Sequence, residues 1–207
     1  MNSKLRVLVH GTGFAGQGHA DAFRSVGAEV VGIVGRTPSG LTKVADKMSI
    51  PYSSTDWNQA LKDCQPDIVA IGTPGGAHYE PITQAINMGC HVFCDKPLTD
   101  NAESAIALFK LAKQKNVKTA FASSFRYMPH VIHAKQLVAN GTIGEPVEVE
   151  CISHFNLEKE IPFGWSHRKE AGGGRLNNNF THKISICLLY TSPSPRDATL
   201  SRMPSSA

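Results

Sequence analysis

The string Gly11-Thr12-Gly13-Phe14-Ala15-Gly16 stands between a branched apolar run, Leu5 to Val9, and a helical stretch from about Gln17 to Val26. That spacing suits a diphosphate. The first glycine permits a tight turn, the second lets backbone approach the phosphates, and the third allows close helix–strand packing. Amides at the helix start then supply partial positive charge. A dinucleotide bound this way needs its ribose held at the end of the next strand, where an acidic side chain would grip the 2′-hydroxyl. Arg36, between Gly35 and Thr37, occupies that place. A guanidinium there favours a 2′-phosphate, which Arg holds through paired hydrogen bonds, so NADP is preferred and NAD is possible. The plainer alternative makes Arg36 a solvated loop residue stacked on adenine.

Three further groups could do chemistry. Thr73-Pro74-Gly75-Gly76 ends a strand and precedes a helix, so its backbone is expected against the cofactor, although turn chemistry alone would also explain it. His78 either caps this loop or touches the nicotinamide ribose. Asp95-Lys96-Pro97 lies just past the carboxyl end of a strand, where a parallel sheet binds its ligands. An ammonium at Lys96 can donate to a reacting oxygen and favour developing negative charge. It would also depress the pKa of a neighbouring base. Pro97 is a candidate for a cis bond; a surface amine at a helix start is the other reading. Arg126 and Tyr127 follow the last strand and are expected to line, or simply pack into, a cleft between domains. Trp165 and Gly172 to Gly174 suggest a substrate loop or a linker.

The elements that must position these residues alternate. Apolar runs at Leu5–Val9, Val30–Val34, Asp67–Ile71, His91–Cys94 and Lys118–Ala122 read as strands. Helical sequence lies around Gln17–Val26, Leu41–Met48, Asp56–Asp63, Tyr79–Met88 and Asn101–Gln114, the last with Ala102, Ala105, Ile106, Phe109 and Ala112 on one face. Such alternation predicts an α/β fold, a doubly wound parallel sheet of the Rossmann type, over residues 1–122. Beyond Ser123 a helix from about His130 to Asn140 ends at Gly141, and Pro146 to Phe155 reads as a longer alternating strand. Residues 123–187 are therefore expected to begin a second, incomplete α/β domain on an open sheet.

Taken in order, several segments resemble the glucose–fructose oxidoreductase / inositol dehydrogenase family (Gfo/Idh/MocA). They are Gly11 to Gly16 with His19-Ala20, Thr73-Pro74 with His78, and Asp95-Lys96-Pro97, where the family usually has Glu-Lys-Pro. Phe125-Arg126-Tyr127 with Pro129, Gly141 to Gly144, and Gly172 to Gly174 with His182 follow. The resemblance runs from about Leu5 to Ile186. It implies hydride transfer between nicotinamide and a carbinol carbon of a sugar, polyol or related small molecule, in a homo-oligomer assembled through the open sheet. It places Lys96 facing substrate and nicotinamide. It also places His182 facing substrate, and a histidine is suited to take a hydroxyl proton because its pKa lies near neutrality. The family has an Asp four residues before this His, where the chain has Asn178. Asn orients a hydroxyl but cannot accept its proton. Lys96 and His182 are left as the acid–base candidates, with Asn178 orienting. Two other activities fit the same residues: NADP binding for regulation or scaffolding without turnover, and transient oxidation during elimination or hydrolysis with no net redox change.

Bulk properties narrow the setting. Apolar residues make up 41% and charged residues 18% of 207, which is ordinary globular chemistry. A net charge of +4 comes from scattered basic residues, so no nucleic-acid partner is expected. No apolar run is long enough to span a bilayer, and Met1 to Leu5 lacks the regions of a signal peptide. The five cysteines fit neither a paired disulfide framework nor a Cys-x-x-Cys metal site, so no metal is expected and the cytoplasm is the expected compartment. Serine and proline fill eight of the seventeen positions from Thr191 to Ala207, without apolar periodicity. Residues 188–207 are expected to be a disordered tail foreign to the fold, of the kind produced by read-through into adapter sequence. With the second sheet incomplete, the strand near Val147 would expose an unpaired edge, and the chain is expected to bind cofactor poorly or aggregate.

Overall fold

A computed structural model of the chain describes residues 4–152, 163–174 and 179–190. The chain divides into two compact units: Met1–Ala122 with Phe163–Asn178, and Ser123–Pro162 with Asn179–Ala207. Phe163–Asn178 thus belongs to the first unit, although it follows the first stretch of the second.

The first unit is a six-stranded parallel sheet. Its strands are β1 (Arg6–His10), β2 (Glu29–Val34), β3 (Ser53–Ser54), β4 (Ile68–Ile71), β5 (His91–Cys94) and β6 (Thr119–Phe121), in the order β3-β2-β1-β4-β5-β6. That order reverses direction between β1 and β4, the place where doubly wound folds open a crevice for ligands. β3 carries only two residues, both serine, and gives no apolar signal; its pairing with Ile33 and Val34 defines it.

Central strands of a parallel sheet are covered on both faces and so read as continuous apolar runs. Val7, Leu8 and Val9 of β1 and Val69, Ala70 and Ile71 of β4 are fully buried. Alternation sends Val7 and Val9 to one face, with Ala20, Leu41 and Ala45 of helices α1 (Phe14–Ser25) and α2 (Pro38–Lys47). Leu8 goes to the other, with Leu61, Ile82 and Leu108. Those come from α3 (Trp57–Cys64), α4 (Tyr79–Asn87) and α5 (Ala102–Gln114).

The expected face of α5 packs only in part. Leu108 and Ala112 are buried and Leu111 packs beside them, whereas Ile106 and Phe109 are exposed. Two apolar stripes run along this helix, and the core it shares with α4 takes the one that holds the leucines.

In the second unit, α6 (Pro129–Ala139) starts with proline in its first turn, as helices tolerate, and stops before Gly141 at φ +70. The alternating stretch from Pro146 forms no strand through Ile152. Alternation sorts side chains to two faces, but a strand also needs a partner ladder. None of the described residues supplies one to 146–152; residues 153–155 of the expected strand lie outside the described residues. A helix that the apolar pattern did not signal, α7 (Thr181–Tyr190), crosses the expected boundary at 188. Residues 191–207 lie outside the described residues.

Candidate functional site

Each long strand of the first unit ends on one edge, and backbone hydrogen bonds carry the register one residue further. The amides of Gly11, Gly72, Asp95 and Ala122 donate to the carbonyls of Val34, His10, Ile71 and Cys94, all at 2.8 Å. The residues just past the strands are those singled out by sequence: the glycine loop, Arg36, Thr73 and Lys96.

Gly11 holds φ +119, and a Cβ there would lie 2.7 Å from the Gly72 carbonyl oxygen. A Cβ on Gly16 would run into the Gly11 carbonyl. The loop therefore lies flat against the sheet because neither position has a side chain. Gly13 is the opposite case: nothing lies within 4 Å of its added Cβ, and it caps α1 without any side-chain hydrogen bond. No acidic residue stands in the first turn of α1. The helix start is thus an uncapped positive dipole end facing open space, which fits a diphosphate. Gln17 closes the loop by donating from Nε2 to the Thr12 carbonyl at 2.9 Å. Phe14 is 96% exposed beside this opening, and Ala15 lies half-buried.

Arg36 is exposed immediately after buried Gly35. Thr37, also exposed, caps α2 without using its hydroxyl. Both side chains are therefore open to a ligand at the end of β2.

Thr73 and Pro74 lead into a short 3₁₀ turn, Gly75–Ala77. A Cβ on Gly75 would lie 2.7 Å from Pro97 Cγ, so this turn packs directly on the Asp95-Lys96-Pro97 turn. The Lys96–Pro97 bond is cis, and Asp95 and Lys96 are half-buried. The Thr73 hydroxyl oxygen is buried without a partner among the described residues. Gly172 presses its backbone on the same turn, its added Cβ falling 2.6 Å from the Gly76 nitrogen. The segment carrying Trp165 is anchored there.

Of the two roles expected of His78, its surroundings match the loop cap. It is fully buried, with Nε2 2.6 Å from the Thr73 carbonyl and Nδ1 3.1 Å from that of Leu98. A ring with no exposed surface does not touch a nicotinamide ribose; it holds backbone.

Two histidines that sequence reasoning did not assign lie under the same edge. His10 stacks on Trp57 at 4.7 Å, and burial, with His78 nearby, lowers its pKa to about 4. His19 meets Phe93 edge-on at 5.0 Å. Burial lowers its pKa, Asp95 opposes that shift, and His78 reinforces it. The signal for His10 was its place as the last residue of β1; its partner Trp57 is far off in sequence and could not be paired from spacing.

Arg126 and His182 belong to the second unit. Arg126 is half-buried in the 3₁₀ turn Ser124–Tyr127, and Tyr127 is exposed. His182 is 8% exposed in α7 and stacks on Phe125 at 4.2 Å. Asn178 lies outside the described residues. Among the described residues no group of three or more His, Cys, Asp or Glu could hold a metal ion, and no helix is long and apolar enough to cross a membrane.

The model of the Gfo/Idh/MocA oxidoreductases, described as an oxidoreductase family with an NAD-binding Rossmann fold, matches residues 5–123. The chain belongs to this family. The Gfo/Idh/MocA C-terminal domain model matches residues 131–202. A levoglucosan dehydrogenase of Pseudarthrobacter phenanthrenivorans is 27% identical over 194 residues, 88% of this chain and 50% of that protein. The D-xylose 1-dehydrogenase (NADP(+)) 2 of Haloferax volcanii is 32% identical over 129 residues, 62% of this chain and 39% of that protein. Among solved structures, levoglucosan dehydrogenase in complex with NADH and levoglucosan superposes with a TM-score of 0.78 at 26% identity. It covers 91% of this chain and 54% of that one. The chain spans about half the length of the first curated Gfo/Idh/MocA relatives it matches.

Proposed function

We propose that this chain carries the cofactor-binding part of a nicotinamide-dependent dehydrogenase. Its reaction moves a hydride between nicotinamide and a carbinol carbon of a sugar, polyol or related small molecule. One observation carries the proposal: the uncapped, acid-free start of α1, open at Gly13 and pressed to the sheet at Gly11 and Gly16. Relatives named for levoglucosan and D-xylose support the substrate class.

When bound, the dinucleotide supplies the hydride acceptor or donor. The chain's own residues do the rest. Backbone amides of Phe14 and Ala15 hold the diphosphate, while Thr73 and Pro74 bound the cofactor's path along the edge. Arg36, with Thr37 beside it, takes the ribose 2′-phosphate, so NADP is preferred over NAD; no carboxylate stands there to select a free hydroxyl. The Lys96 ammonium donates to the substrate oxygen and stabilises negative charge on it. His182 exchanges the hydroxyl proton, Asn178 orients that hydroxyl, and Arg126 contributes to binding. The protein works in the cytoplasm as a homo-oligomer.

The test is calorimetric titration of the full-length protein with NADP and NAD, followed by turnover on a sugar and polyol panel for wild type and Lys96→Ala. NADP should bind more tightly than NAD, and Arg36→Ala should remove the difference. Lys96→Ala should lose at least about 100-fold in kcat. No heat with either dinucleotide ends the proposal, and undiminished turnover in Lys96→Ala ends that residue's assignment. Saturable binding with no hydride transfer to any substrate would favour a regulatory role instead.

A further inference from the structure

We propose that His78 is a positioning residue: its buried ring ties the Thr73 loop to Cys94 at the end of β5, and so sets where nearby Lys96 stands. The inference deepens the dehydrogenase reading and rests on it for the role of Lys96. Three backbone or thiol groups converge on one imidazole. Nε2 lies 2.6 Å from the Thr73 carbonyl, and Nδ1 lies 3.1 Å from the Leu98 carbonyl and 3.3 Å from Cys94 Sγ.

The short contact fixes the tautomer. A carbonyl only accepts, so Nε2 carries the hydrogen and donates to Thr73. Nδ1 of that tautomer accepts from the thiol of Cys94, for which the Asp95 carbonyl, 3.2 Å from Sγ, competes; the Leu98 carbonyl, itself only an acceptor, packs beside Nδ1 without a hydrogen bond. Burial pushes that thiol's pKa up, so it keeps its proton. His78 thus spans the loop after β4 on one side and the end of β5 on the other. Packing reinforces the tie at Gly75 against Pro97. The residue itself reaches no ligand, because none of its surface is exposed.

Ring geometry explains why histidine stands here. A leucine would fill the volume but leave the Thr73 carbonyl unpaired. A glutamine would keep one donor and one acceptor on a flexible stem. Misplacing a reacting group by about 1 Å costs on the order of 100-fold in rate. His78→Leu in the full-length protein should therefore lower kcat about 100-fold while the KM for the dinucleotide moves less than about threefold. His78→Gln should recover much of the loss, which a space-filling role would not predict.

An independent readout needs neither cofactor nor turnover. Amide hydrogen exchange of residues 74–78 and 96–99 should accelerate together in His78→Leu, with β1 and β2 unchanged. Nitrogen-15 chemical shifts of the His78 ring should report hydrogen on Nε2 in the wild type, and Cys94→Ala should shift the Nδ1 signal alone. If His78→Leu does not fold, the Cys94→Ala and His78→Gln proteins carry the same comparison. Unchanged exchange in both segments, or a wild-type ring with hydrogen on Nδ1 only, overturns the proposal. Failure of the dehydrogenase reading would appear separately, as a wild type whose loops are coupled but which binds no dinucleotide.

Discussion

His10 sits where the sheet meets the glycine loop, and its ring lies flat on Trp57 with an interplanar angle of 18°. The His10 Nδ1 and Trp57 Nε1 atoms are both buried without a hydrogen-bond partner among the described residues. Protonating the ring there would place a cation in an unpaired site, which is why burial lowers its pKa to about 4. The consequence for stability has a definite sign. An unfolded chain titrates this histidine near its ordinary value of about 6.5. Between that value and about 4 the unfolded state binds a proton that the fold refuses, so stability falls as pH drops through this window. The full effect is of order 3 kcal/mol, present above the window and lost below it. Replacing His10 with Phe keeps a ring on Trp57 and removes the proton. Urea unfolding at pH 7.5 and pH 4.5 should show the wild type losing more stability than His10→Phe; equal losses would refute the assignment.

Helices α3 and α5 begin the same way. Asp56 Oδ1 accepts from the Gln59 amide at 3.0 Å, and Asn101 Oδ1 accepts from the Ser104 amide at 2.8 Å. α1 begins on Gly13 with no such bond. The contrast marks α3 and α5 as capped structural starts; α2, α4 and α6, like α1, begin without a side-chain cap bond. Asp56→Ala should cost about 1 kcal/mol in urea unfolding and Asp56→Asn less than half of that, because Asn still accepts from the third residue. A loss no greater than that of a surface substitution would mean the cap carries no stability. Cap residues, strand runs and the glycine loop are local signals, and five of the six strands and the first six helices could be read from them. What stayed hidden depends on contacts distant in sequence. β3 exists because two serines pair with Ile33 and Val34. The packed face of α5 was decided by its neighbour α4 and the core they share, which took Leu108 and left Phe109 62% exposed. His78 stood in a motif, but the role proposed for it needed the Thr73 carbonyl and the Cys94 thiol to arrive on opposite sides of one ring. Arg36 was legible as the first residue exposed at the end of β2, after buried Gly35.

Stability should be unevenly shared between the two units, because their cores differ in kind. The first unit packs apolar residues on both faces of a sheet. In the second, among the described residues, Val131 is the sole buried apolar side chain, and it is accompanied by buried Ser123, His182 and Ser185. The two serines share a hydrogen bond at 2.6 Å, and His182 stacks on Phe125. A net hydrogen bond contributes about 1 kcal/mol and an aromatic stack about the same, far less than a sheet buried on both faces. Meanwhile Val147 is 99% exposed and Ile152 66% exposed in a segment without a strand partner among the described residues. Two behaviours follow from this imbalance. Amides of α6 and α7 should exchange at least about tenfold faster than those of β1 and β4, since local opening there exposes little apolar surface. The same uncovered side chains should drive self-association, so light scattering of this 207-residue chain should rise with concentration and fall in a Val147→Lys, Ile152→Lys double variant. Uniform exchange across both units would show that their stabilities do not differ as their cores do. A monodisperse species with wild-type Val147 and Ile152 would show that these residues are not the adhesive ones.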